Sequence, residues 1–262
     1  VAEGEPVPPN IELKINKVNA NPTLTQGNSC YAQDLSGTVY EVHRMADLSD
    51  SPIITLTTDA DGNATAPNEI PFEGTQAYLY VKEVTAPRGV ALDPTTHVVS
   101  PYDRSTWVVN STDTPLNDPL QITLNKVSPD SEVVENPTSL EGAEFTIKYY
   151  AGQYTFDDLP ATTTRTWVVK TLKNAQGKYI TGLDPVYKVS GDEFYLDAGI
   201  PTLPLGTITV EETKAPEGYT LENKVIDASN TPAPNVKDGA VLFNIVDDNS
   251  TARVVGGNAY TV

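Results

Sequence analysis

Along this chain of 262 residues, apolar and polar positions alternate in short runs. GTVYEVHR (residues 37–44) and EFTIKYY (144–150) alternate with period two, which predicts half-buried strands. DADG (59–62) and NAQG (174–177) punctuate such runs and predict hairpin turns. No segment keeps a 3.6-residue period over a helix length. The pattern is all-β.

The pattern also occurs twice. IELKINKV (11–18) matches QITLNKV (121–127), and LSGTVYEVHR (35–44) matches LEGAEFTIKY (140–149). TTDADGNA (57–64) matches TLKNAQGKY (171–179), and VKEVTAPRGVAL (81–92) matches VEETKAPEGYTL (210–221). The blocks keep their order, so one domain is duplicated in tandem. The periodicity fades in NSTDTPLNDPL (110–120), a short polar linker. The expectation is two Ig-like antiparallel β-sandwiches, residues 1–116 and 117–262. The second carries an insertion around 184–206 that holds an extra hairpin or short helix.

Composition narrows the classes. A net charge of -18 repels nucleic acid and acidic membrane surfaces. No run of about 18 apolar residues exists to span a membrane. The single cysteine, Cys30, permits no internal disulfide, so an extracellular chain would need another crosslink.

Strand parity exposes the candidate chemistry, because successive side chains point to opposite faces. Leu79, Val81 and Glu83 share a face, as do Ile208, Val210 and Glu212. Ile11, Leu13, Ile15 and Lys17 form one row; Ile122, Leu124 and Lys126 form another. In the last strands Val108 and Asn110 share a face, as do Val241, Phe243, Ile245 and Asp247. Each half therefore offers a lysine, a glutamate and an Asn or Asp on apolar rows. In the second half Asp248, Asn249 and Asn244 lie close to Asp247, and a bulge would shift the choice.

Charges in an apolar core tend to neutralise. A neutral lysine is a nucleophile. It could attack the side-chain carbonyl carbon of Asn or Asp while the glutamate relays protons. The product is an amide, released with ammonia or water. Each site reacts once, so the chain would not be an enzyme, and the chemistry needs no cofactor or metal.

VEETKAPEGYTL resembles the E-box of the B-type repeats of collagen adhesins and of Gram-positive pilins, a Cna-B-like, prealbumin-like family. VKEVTAPRGVAL departs from it, with Val84 and Val90 in place of Thr and Tyr. The resemblance implies spontaneous isopeptide bonds, with Lys17, Glu83 and Asn110 as one triad and Lys126, Glu212 and Asp247 as the other. It implies a stalk or pilin-like segment of an extracellular, cell-wall-anchored surface protein, the anchor signal lying outside this sequence. Its partners would be neighbouring domains or subunits. The alternative is an adhesin module whose loops bind a host matrix protein or glycan, which exposed aromatics such as Tyr154 and Tyr195 would favour.

Other residues read as structural. DADGN (59–63) looks like half a calcium loop, but Ile70 stands where the closing acid is needed. His43 and His97 lie in no nucleophile motif. Trp107 and Trp167 read as core, and Cys30 as a buried or semi-buried thiol.

Overall fold

The structure, a computed structural model, describes residues 10–71, 78–118, 124–126, 139–221, 226–227, 235–255 and 260–261. The chain divides into two compact units. One comprises Val1–Gln26 and Tyr31–Pro115; the other comprises Gly27–Cys30 and Leu116–Val262.

The first unit contains β1 (Lys14–Asn19), β2 (Val39–His43), β3 (Ile54–Thr57) and β4 (Asn63–Thr65). Then follow β5 (Leu79–Thr85), β6 (Val90–Ala91), β7 (Thr96–Val99) and β8 (Val108–Pro115). They form two four-stranded sheets, ordered β4-β1-β8-β6 and β3-β2-β5-β7. Ile11, Leu13 and Ile15 meet Tyr40, Val42, Leu79, Val81 and Val109 in the core. Pairing is antiparallel except between β1 and β8, the first and last strands, which run parallel with Lys17 opposite Ser111. Parallel neighbours need a long crossover, and here the rest of the unit supplies it.

The DADG turn is not the hairpin that its sequence predicts, because β3 and β4 lie in different sheets. It carries the chain across. The Asp59 carboxylate accepts the amides of Asp61 and Asn63. Gly62 has φ +83, and a Cβ there would sit 2.3 Å from the Lys17 carbonyl oxygen. Only glycine lets the turn press against the lysine strand.

The second unit begins with β9 (Asn117–Asp118), β10 (Leu124–Lys126), β11 (Glu144–Tyr150) and β12 (Arg165–Lys170). Next come β13 (Leu172–Lys173), β14 (Tyr179–Thr181), β15 (Lys188–Gly191), β16 (Tyr195–Asp197) and β17 (Ile200–Pro204). It ends with β18 (Gly206–Lys214), β19 (Ile226–Asp227), β20 (Val236–Lys237), β21 (Ala240–Asp247), β22 (Ala252–Val255) and β23 (Tyr260–Thr261). Its large sheet runs β15-β12-β11-β18-β21-β20, with β22 on β21; β10-β14-β13 form a second sheet. NAQG is a true hairpin here, joining β13 to β14. The insertion supplies a 3-10 turn (Pro185–Tyr187), the edge strand β15 and the hairpin β16–β17. Trp167 is fully buried beside Tyr149, Phe194 and Tyr195.

Candidate functional site

In the first unit the parity of β1 and β5 holds. Ile11, Leu13, Ile15 and Lys17 are buried in sequence, as are Leu79, Val81 and Glu83. Lys17 is 0% exposed and Glu83 1% exposed. The Lys17 ammonium donates to Glu83 Oε2 at 2.7 Å and to the Tyr40 hydroxyl at 3.2 Å. The third partner is Asp113, 1% exposed, whose Oδ1 lies 2.6 Å from Nζ. That contact falls outside the angles of a hydrogen bond. The site thus joins β1, β5 and β8.

Asn110 is not part of it. Its side chain is exposed and accepts from Asn16. β8 alternates with Val109, Ser111 and Asp113 inward and Val108, Asn110 and Thr112 outward. Taking Val108 as inward slips the row by one residue, which turns every side chain to the wrong face. Trp107 carries the missed signal: it is buried, and a row counted from it reaches Val109, Ser111 and Asp113.

A second device was also hidden. Val39 pairs with Thr85 but Tyr40 with Glu83, so Val84 is an extra residue. Glu144 pairs with Lys214 but Phe145 with Glu212, so Thr213 is extra. Both glutamates are followed at once by a β-bulge, which bends the strand and re-aims its side chains.

One ammonium faces two carboxyl groups. Burial works against the Lys17 charge, but its close contact with the Asp113 carboxyl and its hydrogen bond to Glu83 outweigh that, and its pKa is pushed up to about 12. Burial pushes the Asp113 carboxyl up, more than contact with Lys17 pulls it down; the Glu83 and Asp93 charges add to the rise. Burial likewise pushes the Tyr40 hydroxyl up to about 12. A proton retained by one carboxyl leaves the site electrically neutral, which is the state burial favours. Asp113 also lines a cavity of about 480 Å³ with Asn19, Pro22, Leu35 and Val90.

In the second unit Lys126 meets Glu212 Oε2 at 2.7 Å. The Glu212 side chain is 5% exposed and that of Lys126 13% exposed. Ile122 lies outside the described residues, as does the Leu124 side chain. Asp247 does not join the pair. It is exposed, and its carboxylate accepts the Ser250 amide. Asp248 pairs with Arg253, Asn249 is exposed, and Asn244 is bound to Thr207 and Tyr154. The cause is topological. β21 lies beside β18, as β7 lies beside β5, so it is the next-to-last strand of the repeat. The counterpart of β8 is β23, which pairs with β19 as β8 pairs with β6.

The remaining candidates are structural. His43 is buried between Glu41 and Asp50. The Trp107 indole donates to the Ser100 carbonyl. Cys30 is half-buried. Tyr154 is half-buried against Tyr150, and Tyr195 is buried beneath Arg165, so neither is the exposed aromatic that loop-based glycan binding would use.

Residues 121–239 match the SpaA family, a prealbumin-like fold domain. A comparison with curated proteins found no match. Among solved structures the chain is similar to the Bacillus anthracis TIE protein, at 20% identity and TM-score 0.44, covering 91% of this chain and 32% of that one. It is similar to the pilus adhesin SpaC from Lactobacillus rhamnosus GG, at 15% identity and TM-score 0.37, covering 92% and 30%. It is also similar to BcpA, the major pilin subunit of Bacillus cereus, at 13% identity and TM-score 0.26, covering 93% and 97%. The chain spans about a third of the length of the first two.

Proposed function

We propose, from the match of residues 121–239 to the SpaA prealbumin-like fold domain, that this chain is a load-bearing segment of a Gram-positive, cell-wall-anchored surface protein. Its partners are neighbouring domains or subunits. Its first unit closes on itself through a Lys17–Asp113 isopeptide bond. The observation that carries this reading is the buried contact of Lys17 with Glu83 and Asp113 on three separate strands.

The steps balance. The Lys17 ammonium gives a proton to Glu83 across 2.7 Å. The neutral amine attacks Cγ of the Asp113 acid. Glu83 returns a proton to the departing oxygen, and the second amine proton passes to Glu83. One amide and one water result, and Glu83 ends as the acid. The cavity lined by Asp113 gives the water a way out. A buried ammonium and a buried carboxyl are thereby replaced by one neutral group, which removes a desolvation cost of several kcal/mol per ion.

The bond would tie the first strand to the last. Force entering along β1 and leaving along β8 would pass through it and bypass the strands between. Intact-mass spectrometry and peptide mapping test the reading. A deficit of one water, with the Lys17 and Asp113 peptides joined, is expected. Separate peptides from these two positions would refute it.

A further inference from the structure

Behind the first unit's site lies a second acid that the crosslinking steps do not use. Asp93 is 9% exposed. Its Oδ2 accepts the Ser111 hydroxyl at 2.9 Å and faces His97 Nε2 at 3.1 Å. Its Oδ1 accepts the Thr95 amide at 2.8 Å. Ser111 sits on β8 opposite Lys17, and its hydroxyl oxygen lies 3.5 Å from Glu83 Oε2. A buried chain thus runs from Asp93 through Ser111 to the acid that contacts the lysine.

We propose that Asp93 is a positioning residue for the crosslink, holding the Ser111 hydroxyl beside Glu83 while its fixed negative charge readies the Asp113 carboxyl for attack. The inference rests on the isopeptide reading above. An ionised carboxylate is a poor target for an amine, because its charge repels the electron pair and its leaving group would be an oxide ion. The acid form has neither defect. An acceptor of the Asp type therefore needs help that an Asn acceptor does not. Asp93 is fit to give it. Hydrogen bonds from Thr95 and Ser111, with His97 beside it, hold it in the charged form, and a neighbouring negative charge favours a proton on Asp113. Burial pushes Asp93 itself upward, but the Thr95, His97 and Ser111 hydrogen bonds outweigh this and hold it well below the usual carboxylate range. Its charge is among the causes that raise Asp113.

The distinguishing experiment compares acceptors. The full chain is synthesised in a brief cell-free pulse, chased at pH 7, and digested at intervals. The fraction with Lys17 joined to position 113 gives a rate. Asp93→Asn keeps the shape and removes the charge, and it is expected to slow joining by about tenfold. Ser111→Ala is expected to slow it in the same direction. In an Asp113→Asn background the product forms with loss of ammonia, and there Asp93→Asn is expected to leave the rate unchanged. Equal slowing in both backgrounds would make Asp93 a mere packing residue, and no slowing in either would remove it from the reaction; both results overturn the proposal. A wild-type chain that never joins these peptides refutes the crosslink reading itself, a separate and recognisable failure.

Discussion

The two units solve the same problem with different surroundings. In the first, Lys17 is sealed among Glu83, Asp113 and the Tyr40 hydroxyl, with Ser111 and Asp93 behind. In the second, Lys126 meets Glu212, and the residue opposite that glutamate is Phe145 rather than a tyrosine. The bulge after each glutamate is shared; the tyrosine hydroxyl opposite it is not. What the duplication preserved is therefore the geometry that aims lysine at glutamate. In the first unit Ser111 and Asp93 add a hydroxyl and a second acid beside the pair.

The largest expected effect comes from removing either lysine. Lys17→Ala should restore the water to the mass and lower the first unit's melting temperature strongly. A crosslink closing a loop on the order of 100 residues stabilises by about 4–5 kcal/mol in the chain-entropy model, less any native strain. Reductant should make no difference to the wild type. Calorimetry of Lys17→Ala, Lys126→Ala and the double variant would show whether the losses are separate. If Lys17→Ala melts like the wild type, its lysine is an ordinary buried ion-pair partner.

The next effect sharpens the comparison by identifying the second acceptor. The strand equivalent to β8 ends in β23, and the sequence GGNAYTV there holds a single Asn or Asp, Asn258, which lies outside the described residues. If Asn258 is the acceptor, the second unit loses ammonia, and Asn258→Ala abolishes that loss while Asp247→Ala does not. A second-unit bond that survives Asn258→Ala would return the choice to another residue. Glu212→Ala should also abolish the bond while leaving the fold, since the glutamate is absent from the product.

Much of this was legible in the sequence, for a specific reason. Lysine and glutamate sit inside long alternating rows, where parity runs unbroken from Ile11 to Lys17 and from Leu79 to Glu83. The closing strand of each unit was not, because it follows an interruption. In the first unit the 3-10 turn Arg104–Trp107 resets the count before β8, so Asn110 reads as inward although it belongs to the outward row. In the second, the apolar run of β21 looks like a closing strand, yet only pairing shows that another strand follows it. Asp93 and Ser111 had no sequence signal at all; their meeting depends on β8 lying beside β1 and β6.

A smaller effect is expected from the residue opposite each glutamate. Tyr40→Phe removes a hydroxyl that receives from Lys17 and reaches Glu83 Oε2 at 3.4 Å. One buried hydrogen bond is worth about 0.5–1.5 kcal/mol, so first-unit joining should slow by roughly threefold to tenfold without loss of the final bond. Because Phe145 already lacks a hydroxyl, Phe145→Leu should leave the second bond's formation at its wild-type rate if that unit folds normally. Pulse-chase mass spectrometry reads both. A Tyr40→Phe rate equal to wild type would reduce the hydroxyl to packing.

The smallest effect is a pH dependence carried by Asp93 after crosslinking is complete, when Asp113 no longer titrates. Asp93 has a folded-state pKa held below its ordinary value by the Thr95, His97 and Ser111 hydrogen bonds, against the upward push of burial. The unfolded value is about 3.9. The native state thus binds this proton less tightly than the unfolded state does, so Asp93 contributes stability that is fully present above that value and lost as the pH falls below it. Denaturant unfolding of the mature protein should therefore show a loss of stability on acidification from about pH 5 downward. In Asp93→Asn that limb should be shallower, because the asparagine has nearly the same size and shape but no proton to gain. The second unit, observed through its own unfolding transition, serves as the internal control and should respond to acid alike in both proteins. An acid limb of equal depth with and without the Asp93 carboxyl would mean that other carboxylates set the first unit's acid response, and Asp93 would then contribute its charge to the reaction without contributing to the finished fold.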